Sequence, residues 1–325
     1  MTNWYQTHDF SRLPFFSNSI LPALSVIALD NTTLITVKGD DAISYLQGQL
    51  TCDLVSLNRH FSTLAAHCDA KGKVWSVLRL FHHLECIAYT QPTAIAEKQL
   101  IELKKYAIFS KINFEISTLI LLGIAGAKAD DTMLSRDIGN NNVCATQTGT
   151  AVRIEPNRWL LAMETFEADS LLNELTERAT LSDSSLWNLL ELRAAIPSLT
   201  YDTTNKFIPQ SLNLQALNAI NFKKGCYIGQ ETVARAKYRG VNNRATYLMQ
   251  GYTDTLLEAG DVMERRVGKS WRPGGIILSG YPFDDGQALA LVVISNNLGD
   301  DTEFRLANTT AIWQKLPLPY SLEDA

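Results

Sequence analysis

Hydrophobic positions follow two rhythms in this chain, and near Gly240 one of them stops. Residues up to about Leu24 carry Pro14 and Pro22 and read as an irregular arm. Thr32–Lys38 is β-branched and alternating, so it predicts a strand. Gly39 and Asp40 introduce a helix over 41–50, with Asp40 as its N-cap. Residues 61–68 and 74–81 read as strands joined by the turn 69–72, where Gly72 supplies a permissive backbone. A strand follows over 84–89, and Pro92 opens a helix to about Tyr106, because proline suits a first helical turn. Residues 112–116 and 119–124 are strands, 127–134 a helix, and 139–150, rich in Asn, Thr and Gly, a loop. Residues 151–154 and 159–163 read as a hairpin. Helices are predicted over 167–179 and 182–195, the second with capping candidates from Ser182 to Ser185.

Beyond Gly240 short apolar runs recur between turn signals, at 245–251, 274–279, 288–294, 304–307 and 311–315, with no helical period. That texture predicts a small all-β domain, a barrel. Upstream, strands and helices mix without strict β-α-β alternation, so that part is α+β rather than a doubly wound sheet. No tandem repeat or low-complexity segment interrupts it. A chain of 325 residues, 46% apolar and 19% charged, has room for two or three domains with real cores.

Net charge is −5, which argues against a nucleic-acid magnet, but the charge is uneven. Residues 222–244 hold six Lys and Arg against Glu231 alone, a local +5 that leaves −10 for the remainder. A basic face on an acidic protein suits an anionic ligand or partner. The five cysteines are odd in number and form no Cys-x-x-Cys pair. They predict a reducing compartment, no disulfide framework and no zinc or cluster site of usual spacing. The first ten residues lack a basic flank and apolar core, and the longest apolar run, 119–127, is too short for a bilayer. A cytoplasmic protein is expected. His82 and His83 sit at a hairpin, where neighbouring side chains point to opposite faces. With His67 they read as surface turn histidines rather than a chelate.

The chemistry concentrates in residues 221–240, NFKKGCYIGQETVARAKYRG. Cys226 sits between Gly225 and Tyr227. Gly229 stands at the N-cap of a helix over 230–238, with Gln230 and Glu231 in its first turn. Free N–H groups at that helix start, together with Lys223 and Lys224, favour the thiolate over the thiol, and the thiolate is the form that attacks or binds soft metal. The plain alternative is a small cysteine in a tight turn. The coincidence of glycines, lysines and a Gln-Glu pair favours the functional reading.

The segment KGCYIGQE, Lys224 to Glu231, resembles the signature of the YgfZ family, relatives of the glycine-cleavage T-protein. The segments YLQGQLTCD (45–53), AAHCDAKGKVWSVLRLF (65–81), ELKKYAIFSK (102–111), FIPQSLNLQAL (207–217) and LPLPYSLE (316–323) are similar to the same family, so the likeness covers nearly the whole chain. The resemblance implies three domains around a central opening: a discontinuous α+β folate-binding domain (1–50 and 118–238), an inserted α+β domain (51–117) and a C-terminal β-barrel (239–325).

It also implies a folate, tetrahydrofolate or a one-carbon derivative, in that opening. Trp187 resembles a tryptophan associated with folate in the family, although on its own it reads as a core residue of the helix. The family's second such tryptophan aligns with Thr32, which weakens the stacking or moves it elsewhere. Glu231 is expected to meet the pterin amino group. Trp75 and Ser76 stand where the T-protein carries the aspartates for aminomethyl transfer, and neither can take a proton. The resemblance therefore points to an accessory protein for iron–sulfur enzymes or their assembly, including the radical enzyme that methylthiolates adenosine in tRNA. Cys226 is its working thiol and Lys224 tunes it, with Gly225, Tyr227, Gly229, Gln230 and Glu231 shaping the site. Such a protein is expected to be a monomer that meets tRNA indirectly. The runner-up is a folate-dependent one-carbon transferase. A direct tRNA-binding module is weaker, for want of an RNA-binding motif.

Overall fold

The computed structural model describes residues 4–240, 242–299 and 301–322; the first three residues and Glu323, which ends the segment LPLPYSLE, lie outside the described residues. After a single 3-10 turn at Trp4–Thr7 the arm runs without regular structure, as its prolines predict. The next strands are Ser25–Ala28 (β1) and Thr32–Lys38 (β2), followed by helix Ala42–Gln49 (α1). Asp41 rather than Asp40 occupies the N-cap of α1, and its carboxylate accepts from the Lys111 amide (2.7 Å) instead of capping the helix. Strands Thr63–Cys68 (β3), Val74–His83 (β4) and Cys86–Pro92 (β5) come next, then helix Thr93–Lys104 (α2). Gly72 adopts φ +75 in the β3–β4 turn, as that turn requires.

Strands Asn113–Ile116 (β6) and Ile120–Ala125 (β7) lead to the short helix Ala129–Leu134 (α3). The polar loop predicted over 139–150 contains a short strand, Val143–Ala145 (β8). The predicted hairpin is Thr150–Glu155 (β9) and Arg158–Met163 (β10). Helix Thr165–Leu175 (α4), strand Thr180–Ser182 (β11) and helix Ser184–Arg193 (α5) complete the middle of the chain. The Asp183 carboxylate caps α5, accepting from the Ser185 amide (3.0 Å). Helix Gln230–Tyr238 (α6) has the predicted bounds.

Three sheets result. The first has the order β11-β1-β7-β10-β9-β8, so residues near the start of the chain pair with residues beyond 120. The second has the order β3-β4-β5-β2-β6. The insertion expected at 51–117 is only part of this unit. Strand β2 lies between β5 and β6, and Tyr45 and Leu46 of α1 share a core with Val37, Leu78 and Leu103. The sheet thus begins near Thr32: Ile35 and Val37 of β2 are buried in this core, while Leu34 joins the cluster that holds Ile27 of β1.

The third sheet is antiparallel and bulged, made of Arg244–Tyr252 (β12), Val262–Val267 (β13), Ser270–Pro282 (β14), Gln287–Ser295 (β15), Phe304–Leu306 (β16) and Gln314–Leu316 (β17). Its order is β16-β13-β14-β15-β12-β17, and a bridge between Phe304 and Trp313 draws its edges together into the predicted barrel-like domain. One cluster of buried side chains joins all three sheets, running from Ile27 and Leu160 through Leu34 and Val77 to Leu278 and Leu291. The opening they surround is therefore walled by a continuous core. No helix among the described residues is long and apolar enough to cross a membrane.

Candidate functional site

The loop before α6 is laced to the end of α1. The Asn221 amide donates to Thr51 O (2.9 Å) and the Ile228 amide to Gly48 O (3.1 Å). The Asn221 carboxamide oxygen accepts from the amides of Lys223 and Lys224 (2.8 and 3.0 Å). The Lys224 ammonium donates to Gln47 O in the last turn of α1 and to Leu50 O and Cys52 O just beyond it (2.6, 2.8 and 2.6 Å). Burial pushes this ammonium down to about 8, opposed by Cys52 and Asp53. Its neighbour Cys52 is a buried thiol pushed up to about 11 by the same burial. Lys224 therefore faces Cys52, and its donors are committed to backbone rather than turned to Cys226.

Cys226 is exposed at the tip of this loop, while Tyr227 beside it is buried with the Lys224 ammonium 5.1 Å from its ring centre. A Cβ on Gly225 would meet nothing within 4 Å, so the approach to the sulfur is open there. Gly229 has a different reason to be glycine. It sits at φ +82, and a Cβ would lie 2.6 Å from Asp69 O and 2.9 Å from Gly72 Cα. The start of α6 is thus pressed against the 69–72 turn, which only a bare backbone permits. Gln210 holds the helix from behind, donating through Nε2 to Val233 O (2.6 Å).

The second half of the site is a cavity of about 420 Å³ where the three sheets meet. Helix α5 contributes Trp187, Asn188 and Glu191; the second sheet contributes Thr32, Arg79 and Gln91. The barrel-like sheet closes it with residues 278–280. Trp187 is 7% exposed. Its six-membered ring is seated over Gly123, where a Cβ would come within 2.6 Å of Cε3, and the Arg158 guanidinium lies 5.0 Å from the ring centre. It offers the cavity a rim rather than an open stacking face. Arg158, 2% exposed, reaches Glu155 (2.8 Å) and Glu191 (2.9 Å). These are ionic contacts, since its N–H groups are not lined up on the oxygens. Burial pulls the Arg79 guanidinium below its usual value, with Glu191 pushing it back up. The buried Gln91 Oε1 has no hydrogen-bond partner among the described residues.

The family resemblance pointed to Trp187, which lines this cavity, but not to the residues that make it polar. Glu231 does not line it. Val233 and Ala236 are the buried residues of α6, and Glu231 lies roughly 200° around the helix from Val233 and roughly 140° from Ala236. The Glu231 carboxylate is exposed and paired with Arg235 (2.5 Å), which corrects the expectation that it meets the ligand. Gln230 and Cys226 also lie outside the lining. Arg79 and Arg158 went unremarked because each is a lone charge in an apolar strand, and Glu191 because it sits two residues from Arg193 on a helix; a charge inside an otherwise apolar strand, as in Val74–His83, was the available signal. The surface reading of the histidines is also corrected. His67 is buried against Gln99 (3.2 Å) and His83 is buried with Nδ1 on the Thr150 hydroxyl (2.8 Å).

Trp75 and Ser76 follow the 69–72 turn, whose Asp69 carboxylate accepts from the Lys71 and Lys73 amides (2.9 and 2.8 Å). The Ser76 hydroxyl is fully buried and donates to Val77 O (3.3 Å), and Trp75 is half-buried with the Lys98 ammonium 5.5 Å from its ring centre.

Residues 242–309 match the family model described as YgfZ, beta-barrel domain. Over 320 residues, 97% of both chains, the sequence is 48% identical to the "tRNA-modifying protein YgfZ" of Photobacterium profundum. The chain belongs to the YgfZ family. Other YgfZ relatives of the same printed name are 47% identical in Aliivibrio fischeri, covering 97% of this chain and 98% of theirs, and 46% identical in Vibrio vulnificus, covering 98% and 99%. Among solved structures, the glycine cleavage system aminomethyltransferase T from Bartonella henselae superposes with a TM-score of 0.72, at 16% identity, over 92% of this chain and 86% of that one. That likeness establishes the shared three-part fold of a YgfZ chain and the aminomethyltransferase.

Proposed function

We propose that the protein binds a reduced folate in its central cavity and serves as an accessory factor for iron–sulfur enzymes, through which tRNA is methylthiolated, with Cys226 as the working thiol. The observation that carries the folate part is the set of polar groups, Arg79, Gln91 and Glu191, in an otherwise mainly apolar, half-open cavity between three sheets. A pterin is planar and presents N–H donors on one edge and a carbonyl oxygen beside them. The Glu191 carboxylate and the orphaned Gln91 Oε1 can accept from such donors, and the Arg79 guanidinium can donate to a carbonyl or carboxylate. The volume falls within the ordinary range of small-molecule sites, roughly 300–1,000 Å³. The relatives' name, tRNA-modifying protein, supports the link to tRNA. In this reading the protein acts in the cytoplasm as a monomer, with iron–sulfur enzymes or cluster-assembly proteins as partners.

Cys226 suits the role of thiol because it is the exposed cysteine. Cys52 and Cys68 are buried, and the half-buried Cys86 and Cys144 each lie 3.2 Å from a carbonyl oxygen. The test combines calorimetry, alkylation and complementation. Tetrahydrofolate binds the full chain; Arg79→Met and Trp187→Ala each weaken it about tenfold or more, as loss of a charged hydrogen bond or a ring contact would. No heat of binding overturns the folate reading, and unchanged affinity in both variants removes it from this cavity. Cys226 is alkylated first at neutral pH. Cys226→Ser folds and keeps folate but does not restore tRNA methylthiolation in a strain lacking the protein; full restoration ends the thiol's role. An aminomethyl-lipoyl donor yields no methylenetetrahydrofolate, and robust product would favour the one-carbon transferase instead.

A further inference from the structure

A second concavity, of about 720 Å³, lies between residues 52–63, residues 218–223 and the end of α6. None of its lining residues lines the folate cavity. Two cations stand on it, Lys223 and Lys237, both exposed. Neither pairs with a carboxylate among the described residues. The Lys237 ammonium instead rests 4.1 Å from the centre of the Phe222 ring, which holds it in place without neutralising it. The one acid in the lining, Asp53, is already occupied by the Ser56 hydroxyl (2.8 Å) and the Gln47 amide (2.9 Å). The exposed Arg239 and Arg244 follow just beyond α6.

Aromatic faces are interleaved with these cations. Tyr238 is 70% exposed and Phe61 51% exposed, one on each side of the groove. Phe222 stands edge-on to Tyr238, with ring centres 6.4 Å apart. Exposed apolar surface rimmed by polar and charged groups marks an interaction site. Three carboxamides, Asn58, Asn218 and Asn221, also line it, beside Ser62, Thr63 and apolar Leu57 and Ile220. Among the described residues the carboxamide nitrogens of these three make no hydrogen bond, whereas the Asn58 and Asn221 oxygens accept from backbone amides.

We propose that this groove holds a short segment of single-stranded RNA, its bases stacked on Tyr238 and Phe61 and its phosphates on Lys223 and Lys237. Bases are free to stack only where the strand is unpaired, and stacking tolerates sequence because every base has a π-face. A duplex would offer the lysines phosphates but leave both rings bare. An acidic peptide would use the lysines but neither the rings nor the amides. The inference goes beyond the accessory role above, giving the chain its own contact with RNA despite its net charge of −5. Lys223 precedes Cys226 by three residues, so the bound strand would run beside the loop that carries the thiol.

The test is fluorescence anisotropy with the full chain and a labelled single-stranded RNA of about eight nucleotides, between ~50 and ~200 mM salt. Saturable binding is expected. Tyr238→Ala weakens it about five- to 150-fold, the loss of one stacked base. Lys223→Glu with Lys237→Glu abolishes most of it, and the salt slope of the remainder falls by about 1.4, two phosphates at about 0.7 each. Lys269→Glu, on the β13–β14 turn, leaves binding unchanged. Thermal melts confirm that each variant folds. Binding weaker than ~100 μM, the loose end of non-specific attraction, overturns the proposal. So do equal binding of a duplex, equal loss in Lys269→Glu, or binding of polyglutamate in place of RNA. Folate titration of the same variants reads the other cavity, so the two readings fail separately.

Discussion

At the scale of single residues, burial has turned two charged or titratable side chains away from the roles their positions suggest. Lys224 precedes Cys226 by two residues, yet it ties the end of α1 to the motif loop through three carbonyls. His67 reads as polar and lies beneath the second sheet. Gln99 accepts from Gln91 and Tyr89 through its oxygen, so its nitrogen donates to His67 Nδ1 (2.8, 3.2 and 3.2 Å). Nδ1 must therefore be unprotonated, and burial pushes this imidazole down to about 3. The folded chain keeps His67 neutral while the unfolded chain takes up a proton near 6.5, so acid favours unfolding between those two values. Its contribution to stability is whole above pH 6.5 and declines as pH falls toward 3, by at most about 1.4 kcal/mol per unit. Urea melts of His67→Gln should lose that part of the acid slope; an unchanged slope would place the titration elsewhere. Cys226 was legible because its neighbours are unusual in sequence. Arg79 and Glu191 were not, since strand and helix pairing alone brings them to one cavity, with Arg158 held behind Glu191.

At the scale of elements, α6 carries most of the information that could be read in advance. Glycine, then a run of helix formers, fixed both its ends. What could not be read was why Gly229 is glycine: the reason is Asp69 O, more than 150 residues away in sequence. Gly229→Ala combines a left-handed backbone with that contact and should cost about 1–3 kcal/mol, whereas Gly225→Ala, open on all sides, should be nearly neutral. Equal melting temperatures for the two would refute the difference. Four strands escaped the pattern. β1 is buried at all four positions, so it lacks alternation; β8 and β11 have three residues each; β13 carries three charges in six residues. Each is defined by its partners rather than by its own rhythm.

At the scale of the whole molecule, both ends of the chain close the ring. The Arg12 guanidinium donates to Asp284 (2.8 Å), which also accepts from the Phe15 amide (2.5 Å), fastening the arm to the barrel-like sheet. The Tyr320 hydroxyl donates to Ala195 O (2.8 Å) at the end of α5. Asp284→Ala should free Arg12 and speed tryptic cleavage after it while leaving the rest of the chain intact; unchanged cleavage would show that the remaining contacts, Arg12 to Pro282 O and Ser17 to Asp285, suffice to hold the arm. The opening itself was foreseen through family resemblance, because no local pattern announces that residues 25–28 pair in parallel with 180–182. That pairing has a consequence for synthesis. β1 leaves the ribosome about 150 residues before β11 exists, which at about 5–20 residues per second is a delay of roughly 10–30 s. Throughout that interval Val26, Ile27 and Ala28 wait without their outer neighbour, while the second sheet, whose strands all lie within residues 32–116, can already form. The nascent chain should therefore depend on chaperones for its first strand rather than for its most hydrophobic one.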